Sequence, residues 1–240
     1  MLTIEEALSL TTVIKPGKQN VQLVDLYRLD NMPIWREFLS GMRMALRRCK
    51  RSTLEIQEVG ANNIKLLHRA LANTPSFRVA EKNALQSKSQ DHHWYWQFLL
   101  NHPQIQAGIM TVFEDQPVPL HDHPDGNGMV FVLHGKVRVH QYQLTQDLLE
   151  VESDAVALRK ISDRGLAMGE ADVFLHDRGN IHGMRALSSK CIMLEIIIPP
   201  HEFQQRSWYL PTHSNQVNAS HLFARKVVGE QFQNTKPVAI

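Results

Sequence analysis

The chain has 240 residues, of which 43% are hydrophobic and 21% charged, and its formal net charge at pH 7 is +2. These proportions are ordinary for a globular protein that is long enough to bury a real core. So small a net charge argues against a general nucleic-acid-binding protein, which needs a densely basic surface. The basic run at residues 47–51 is interpreted as a solvated helix face.

The first residues lack the basic segment and apolar stretch that are typical of a signal peptide. The longest apolar run, residues 192–198, is interrupted by Glu195 and is too short to span a bilayer. Two cysteines, Cys49 and Cys191, do not form a disulfide framework. The sequence therefore predicts a reduced, cytoplasmic protein that binds neither membrane nor nucleic acid, and it leaves the oligomeric state open.

Residues 1–93 have a mainly helical pattern. After a capping signal at residues 30–33, apolar residues recur at intervals of four and mark one helix face: Ile34, Phe38, Met42 and Leu46. A second helix is predicted over residues 53–72, because Asn73, Thr74 and Pro75 would end it. The polar residues 81–92 are the best candidate for a linker, and the alternative is that they hold another short helix.

Residues 94–212 have the pattern of a β domain. Short β-rich segments follow one another, at residues 107–113, 129–133, 137–139, 156–158, 173–175 and 191–198, with a further one indicated near residue 151. Many short strands in one contiguous block predict a sandwich or a barrel. Residues 213–240 carry few structural signals and are interpreted as a C-terminal tail.

A His-x-His pair lies inside this β block. Residues i and i+2 of a strand point to the same face, so His121 and His123 could present two imidazoles to one point. Imidazole binds iron, zinc, copper and nickel, so the pair indicates a metal without choosing it. The alternative is a histidine-containing loop that binds nothing.

The spacing around this pair resembles the first motif of the cupins. Gly128 and Gly135 follow at the expected intervals, and Gly128 stands where that motif usually has a glutamate ligand. Gly179 and His182 resemble the Gly-x-x-His of the second motif, although Asp177 and Ala186 depart from it. The resemblance implies a mainly β fold, a cupin (double-stranded β-helix, jelly-roll) barrel with a helical N-terminal extension.

A closer resemblance is to cysteamine dioxygenase and the plant cysteine oxidases. It rests on residues 117–139, PVPLHDHPDGNGMVFVLHGKVRV, on residues 178–182, RGNIH, and on residues 195–200, EIIIPP, where this chain has glutamate for aspartate. Residues 206–209 match loosely. The resemblance covers about residues 95 to 210 and is most specific in its first segment.

This family resemblance implies a mononuclear non-haem iron(II) thiol dioxygenase. His121, His123 and His182 would be the Fe2+ ligands, and a thiolate substrate would supply the negative charge that the missing glutamate does not. Glu195 and Tyr209 are the candidate catalytic residues; the alternatives are a solvent-facing glutamate and an aromatic residue on the barrel rim. The partners would be O2 and a small thiol or a peptide with N-terminal cysteine.

Other polar residues are given structural roles. Asp122 should point away from its flanking histidines, and Cys191 should be a small core residue. Arg138 and Arg185 are candidates for holding a substrate carboxylate. Five further histidines are not expected to be ligands: His92, His93, His134, His140 and His176.

Two rival functions remain open. One is a different cupin metalloenzyme, such as a dioxygenase of another substrate, and the other is a non-enzymatic cupin that binds a metal or small ligand. Fold similarity alone does not separate them. Thiol-dependent oxygen uptake would distinguish the first interpretation from both.

Overall fold

The computed structural model describes residues 33–48, 53–89, 94–145, 155–199, 206–212 and 220–228. Within these ranges three helices come first, at Pro33–Arg48 (α1), Thr53–Leu71 (α2) and Pro75–Gln86 (α3). Eleven strands follow there: β1 Tyr95–His102, β2 Ile105–Phe113, β3 Val118–His121, β4 Asn127–His134, β5 Lys136–Thr145, β6 Ala155–Ala167, β7 Ala171–Phe174, β8 Ile181–Ala186, β9 Lys190–Ile198, β10 Ser207–Pro211 and β11 His221–Val228.

The first two helices agree with the sequence pattern. Phe38 and Met42 of α1 are buried, as the four-residue spacing predicts, and α2 ends one residue before the predicted Ala72. The side chain of Leu46, like residues 30–32 and 90–93, lies outside the described part. None of these described helices has the length and apolar character that crossing a bilayer requires.

The third helix includes residues 81–86, so this part of the linker candidate is the short helix that the sequence left open. Thr74 explains this start: its hydroxyl donates to the carbonyl of Leu71 at 2.7 Å and accepts from the backbone N–H of Phe77 at 3.4 Å. Pro75 then occupies the first turn, where its missing N–H costs nothing. The Asn-Thr-Pro segment therefore ends one helix and begins the next.

The strands form two antiparallel sheets. One has five strands in the order β1-β2-β9-β4-β7, and the other has six, β10-β11-β6-β5-β8-β3, which close into a barrel. Closure comes from the pairing of β10 with β3 at Trp208 and His121. The prediction of a mainly β, cupin-type barrel with a helical N-terminal extension is confirmed.

The last strand corrects the predicted tail. Strand β11 lies within residues 213–240 and pairs with both β6 and β10. It buries Phe223, Ala224 and Val227 against the barrel. Its sequence, HLFARKVV, alternates imperfectly, so its apolar positions gave only a weak strand signal.

Three apolar clusters fill the part of the molecule that the structure describes. The first lies between the helices and the five-stranded sheet, where α2 comes so close that a Cβ on Gly60 would lie 2.7 Å from Cγ2 of Val173. The second lies on the other face of that sheet and includes Val137, Val139 and Trp208 of the six-stranded barrel. The third is formed by further residues of the barrel strands: Leu120, Tyr142, Leu158, Ile181, Tyr209 and Ala224.

A lysine attaches the third helix to the sheet. The ammonium of Lys190, the first residue of β9, donates to the carbonyls of Ala84 at 3.3 Å and Ser87 at 3.1 Å, and also to that of Leu85. These carbonyls lie at the C-terminal end of α3, where intrahelical partners run out and a positive charge is favourable. Burial lowers the pKa of Lys190.

Candidate metal centre

Three histidines meet between the two sheets. His121 ends β3, and His182 lies near the start of β8 as its register partner. His123 lies two residues beyond His121, just past the end of the strand rather than on it. One ring nitrogen from each lies within 4.8 Å of the others, and all three residues are buried. Imidazoles at such separations are a suitable donor set for one transition-metal ion.

Backbone carbonyls fix two of the rings. Nδ1 of His121 lies 2.9 Å from the carbonyl oxygen of Pro119, and Nδ1 of His182 lies 2.8 Å from that of Asn180. A carbonyl only accepts, so each Nδ1 carries the proton and each Nε2 keeps its lone pair. Both rings are thus held in the tautomer that can bind a metal through Nε2.

A side-chain amide holds the third histidine by its backbone. Nδ2 of Asn180 donates to the carbonyl of His123 at 2.9 Å, and Oδ1 of Asn180 accepts from the backbone N–H of His123 at 3.1 Å. The two hydrogen bonds imitate a short piece of β-ladder. They tie the segment after β3 to the segment before β8.

The glycine in place of the usual carboxylate ligand has no room for a side chain. A Cβ on Gly128 would lie 2.9 Å from Cδ2 of Phe174 and 3.0 Å from Nδ1 of His123. The Phe174 ring stacks on that of His182, with centroids 3.8 Å apart and an interplanar angle of 7°. The donor set on the described residues is therefore three imidazoles without a carboxylate.

Aromatic residues form one wall of the site. The Trp208 ring lies 5.1 Å from that of His121, and Trp94 lies 5.7 Å behind Trp208. Both tryptophans are buried. This wall limits the access of water to the histidines and lowers the local dielectric constant, which strengthens electrostatic interactions there.

Burial shifts the ionisation of the polar groups at the centre. It lowers the pKa of His182 to about 3, with the charge of Arg206 adding to the effect, so the ring is neutral near pH 7. Oε1 of Glu195 lies 4.0 Å from Nε2 of His123, and burial raises the pKa of Glu195 to about 7, against the opposing effect of Arg206. A buried carboxyl group, that of Glu195, thus lies beside one of the three histidines.

The carboxylate of Asp122 links β3 to β10, as its predicted structural role requires. It accepts from the backbone N–H of Ser207 at 2.8 Å and from the Tyr209 hydroxyl at 2.9 Å. Burial, together with the negative charge of Asp122 and this hydrogen bond, raises the pKa of Tyr209. The hydroxyl of Tyr209 donates its hydrogen bond to Asp122, so the role of Tyr209 as an active-site hydroxyl stays a prediction.

The remaining candidate residues lie away from the three histidines. The two arginines considered for a substrate carboxylate, Arg138 and Arg185, are exposed, and Nε of Arg138 donates to Asp163 at 2.7 Å. His134 pairs with Glu81 at 2.8 Å. Cys191 is buried, which raises its pKa to about 12 and fits its predicted place in the core.

Sequence reasoning alone did not single out Asn180, Phe174 or Trp208. Asn180 stands inside the RGNIH segment, two residues before His182, just as Pro119 stands two residues before His121, and each presents its backbone carbonyl to the ring. Phe174 and Trp208 come from distant parts of the chain, and only the pairing of their strands places them beside the histidines.

Comparison with known proteins gives a family match over most of the chain. The family model described as PCO_ADO matches residues 56–234. A curated relative, 2-aminoethanethiol dioxygenase of Mus musculus, is 28% identical over 114 residues, covering 40% of this chain and 44% of the relative. The match thus spans less than half of the length of that relative.

Solved structures with similar folds share little sequence with this chain. An uncharacterised protein with a double-stranded β-helix domain from Klebsiella pneumoniae is 15% identical, with a TM-score of 0.36, covering 48% of this chain and 80% of its own. A cupin superfamily protein from Desulfitobacterium hafniense is 12% identical, with a TM-score of 0.33, covering 48% and 85%. The fold assignment rests on the strand order and barrel closure described above.

Proposed function

Because the chain belongs to the PCO_ADO family, we propose that it is a mononuclear non-haem iron(II) thiol dioxygenase. The observation that carries the proposal is the cluster of three buried histidines, two of them held with Nε2 available, beside a glycine that excludes a carboxylate ligand. His121, His123 and His182 would hold the metal. A cytoplasmic location, where thiols stay reduced, suits this activity.

The overall reaction needs no further reductant. Conversion of R–SH with O2 to R–SO2H forms two S–O bonds, removes four electrons from sulfur and adds four to the two oxygen atoms. Iron(II), when bound, would supply the redox chemistry with O2 and lower the pKa of the thiol. The protein's part is to hold the thiol, exclude water and keep the imidazoles neutral.

Glu195 is the residue that we propose to face the substrate. Its carboxyl group is buried beside His123, so it could accept a hydrogen bond from an ammonium or hydroxyl group of a bound thiol. The curated relative is named for an aminothiol, and a protonated amine would complement this carboxylate. We therefore favour an aminothiol or a peptide with N-terminal cysteine over a mercapto acid.

The two exposed arginines give no support to a carboxylate clamp. Arg138 is already engaged by Asp163, and Arg185 lies beside it on the outer face of the barrel. Arg206 lies closer to the three histidines than these two arginines do, and its charge acts on both Glu195 and Asp122. We propose that Arg206 balances these two carboxylates, and that Tyr209 acts through Asp122 rather than on the substrate.

The test is oxygen consumption by protein loaded anaerobically with iron(II). Cysteamine, cysteine, 3-mercaptopropionate and a peptide with N-terminal cysteine would be offered separately, and the products weighed by mass spectrometry. We expect uptake with an aminothiol or the peptide and a product heavier by two oxygen atoms. His182→Ala should reduce the rate by at least about 1,000-fold, because a metal site that loses a ligand loses its ion.

A matched control separates loss of the site from loss of the fold. His140→Ala removes a histidine from the neighbouring strand that faces Asp163 at 3.4 Å instead of the cluster, and it should retain most of the activity. Stoichiometric iron binding with no uptake for any thiol would contradict the proposal and favour another cupin chemistry or a ligand-binding role.

A further inference from the structure

We propose that Asn180 is a positioning residue that sets the geometry of two metal ligands at once. The inference rests on the proposed metal site, and it concerns how this chain builds that site. Three hydrogen bonds support it: the Asn180 carbonyl accepts from the His182 ring at 2.8 Å, and its side-chain amide makes the two bonds to the backbone of His123 at 2.9 and 3.1 Å.

The identity of the side chain is specified by these partners. A backbone N–H and a carbonyl of the same residue need one acceptor and one donor on a planar group, and an asparagine amide offers both at the required separation. A carboxylate would place an oxygen against the His123 carbonyl, and a longer glutamine would not keep the same distance. Asn180 is therefore matched to His123 in both size and polarity.

The preceding glycine explains how the amide reaches its partners. Gly179 has a φ of 69°, and a Cβ there would lie 2.9 Å from Oε1 of Gln141. Glycine adopts this left-handed conformation without strain and leaves room for the Gln141 side chain. The turn at Gly179 directs the following residue towards the segment that carries His123, 57 residues earlier in the chain.

The Asn180 side chain joins the two histidine motifs, because it holds the backbone of His123 from the segment that carries His182. Ring orientation at His121 depends on a carbonyl within its own motif, that of Pro119. The backbone of His123 lies beyond the end of β3. Its carbonyl accepts from the Gly126 N–H at 3.0 Å as well as from the Asn180 amide, whereas its own N–H donates to Oδ1 of Asn180. Loss of the amide should therefore move His123 relative to His182, even if the barrel remains intact.

Metal affinity, measured with Co2+ alone on the full-length metal-free protein, tests this inference. We expect Asn180→Ala to weaken Co2+ binding about 10- to 100-fold, as loss of a group that orients ligands does, and to change the visible absorption of the bound Co2+. Asn180→Asp should also weaken binding, since it keeps the acceptor but loses the donor.

Thr74→Ala is the matched control. Thr74 likewise makes one donated and one accepted bond between its side chain and the backbone, but at the start of α3. It should lower the thermal unfolding temperature as Asn180→Ala does and leave Co2+ affinity within about twofold. Binding by Asn180→Ala or Asn180→Asp as tight as that of the wild type, or an equal loss in Thr74→Ala, would overturn the inference.

This result is independent of the reaction. If wild-type protein binds Co2+ with Asn180-dependent affinity but iron-loaded protein oxidises no thiol, the proposed function fails and the positioning role stands. If wild-type protein oxidises a thiol while Asn180→Ala binds metal normally, the positioning role fails and the proposed function stands.

Discussion

The two faces of the five-stranded sheet differ in chemistry, and strand β9 displays the difference along its own length. Its residues Ile192, Leu194 and Ile196 face the helices in the first apolar cluster. Between them, Met193 belongs to the second cluster and Glu195 lies beside His123. One strand thus contributes apolar packing to one side and a buried carboxyl group to the other.

The contrast separates stability from function. The helix-facing cluster is built from apolar side chains, so burial there stabilises the fold at about 25 cal/mol for each Å² removed from water. The other face also buries Glu195, whose carboxyl group lies beside His123. Burying a carboxyl group costs free energy unless partners satisfy it, so its place beside the histidines indicates a role other than stability.

The largest effect on stability is expected from Ile64→Ala. Ile64 is fully buried between α2 and the sheet, and truncation should cost about 3 kcal/mol of unfolding free energy through lost burial and a cavity. Urea denaturation measures this loss. Metal affinity, determined by Co2+ titration below the transition, should change by less than about twofold, and a tenfold change would refute the separation of the two faces.

Gly128→Ala tests the opposite face. The added methyl group would lie closer to Phe174 and His123 than van der Waals contact allows. Such overpacking lowers the free energy of unfolding by about 1–3 kcal/mol. Unlike Ile64→Ala, this variant should also weaken Co2+ binding, by about tenfold, because His123 must shift. Unchanged affinity measured by the same titration would mean that Phe174 alone moves.

Tyr209→Phe lies between the two cases. It removes a hydrogen bond to the Asp122 carboxylate, so we expect a loss of about 2 kcal/mol by thermal or urea unfolding. If Tyr209 acts through Asp122, Asp122→Asn should have a similar effect, and turnover per bound iron should fall by less than about fivefold in both. A selective fall of turnover in Tyr209→Phe alone would instead assign the hydroxyl to the substrate.

Lys190→Met gives the smallest expected effect. It leaves the carbonyls at the end of α3 without their ammonium donor while keeping much of the apolar stem, at a cost of about 1 kcal/mol. Hydrogen exchange should increase in α3 before it increases in the barrel. Lys190→Arg, which keeps the charge, should restore part of the protection; equal exchange in both variants would contradict the capping role.

The sequence predicts local features of this molecule well. The predicted apolar runs form strands β2, β4 and β9, and the residues with four-residue spacing form helix α1. The His-x-His and Gly-x-x-His segments bring their histidines together in space. Each of these signals is a short-range periodicity or spacing. The family match over residues 56–234 confirms the resemblance that the same motifs indicated.

The failures have a common physical origin. The sequence predicts a tail at residues 213–240, because the apolar pattern of strand β11 is weak. This strand is stabilised by its pairing with β6 and β10. The clamp between Asn180 and His123 joins residues 57 positions apart. Such contacts depend on tertiary placement, which no local pattern in the sequence expresses.

Barrel closure gives the three histidines a mechanical consequence. The seam between β3 and β10 has one register pair, Trp208 with His121, and β3 is only four residues long. An ion held by His121 and His123 on one side and by His182 on β8 would fasten this short strand by coordination as well as by hydrogen bonds. Metal binding would then hold β3 against β8 and, through His121, would steady the single register pair with Trp208 at which the barrel closes.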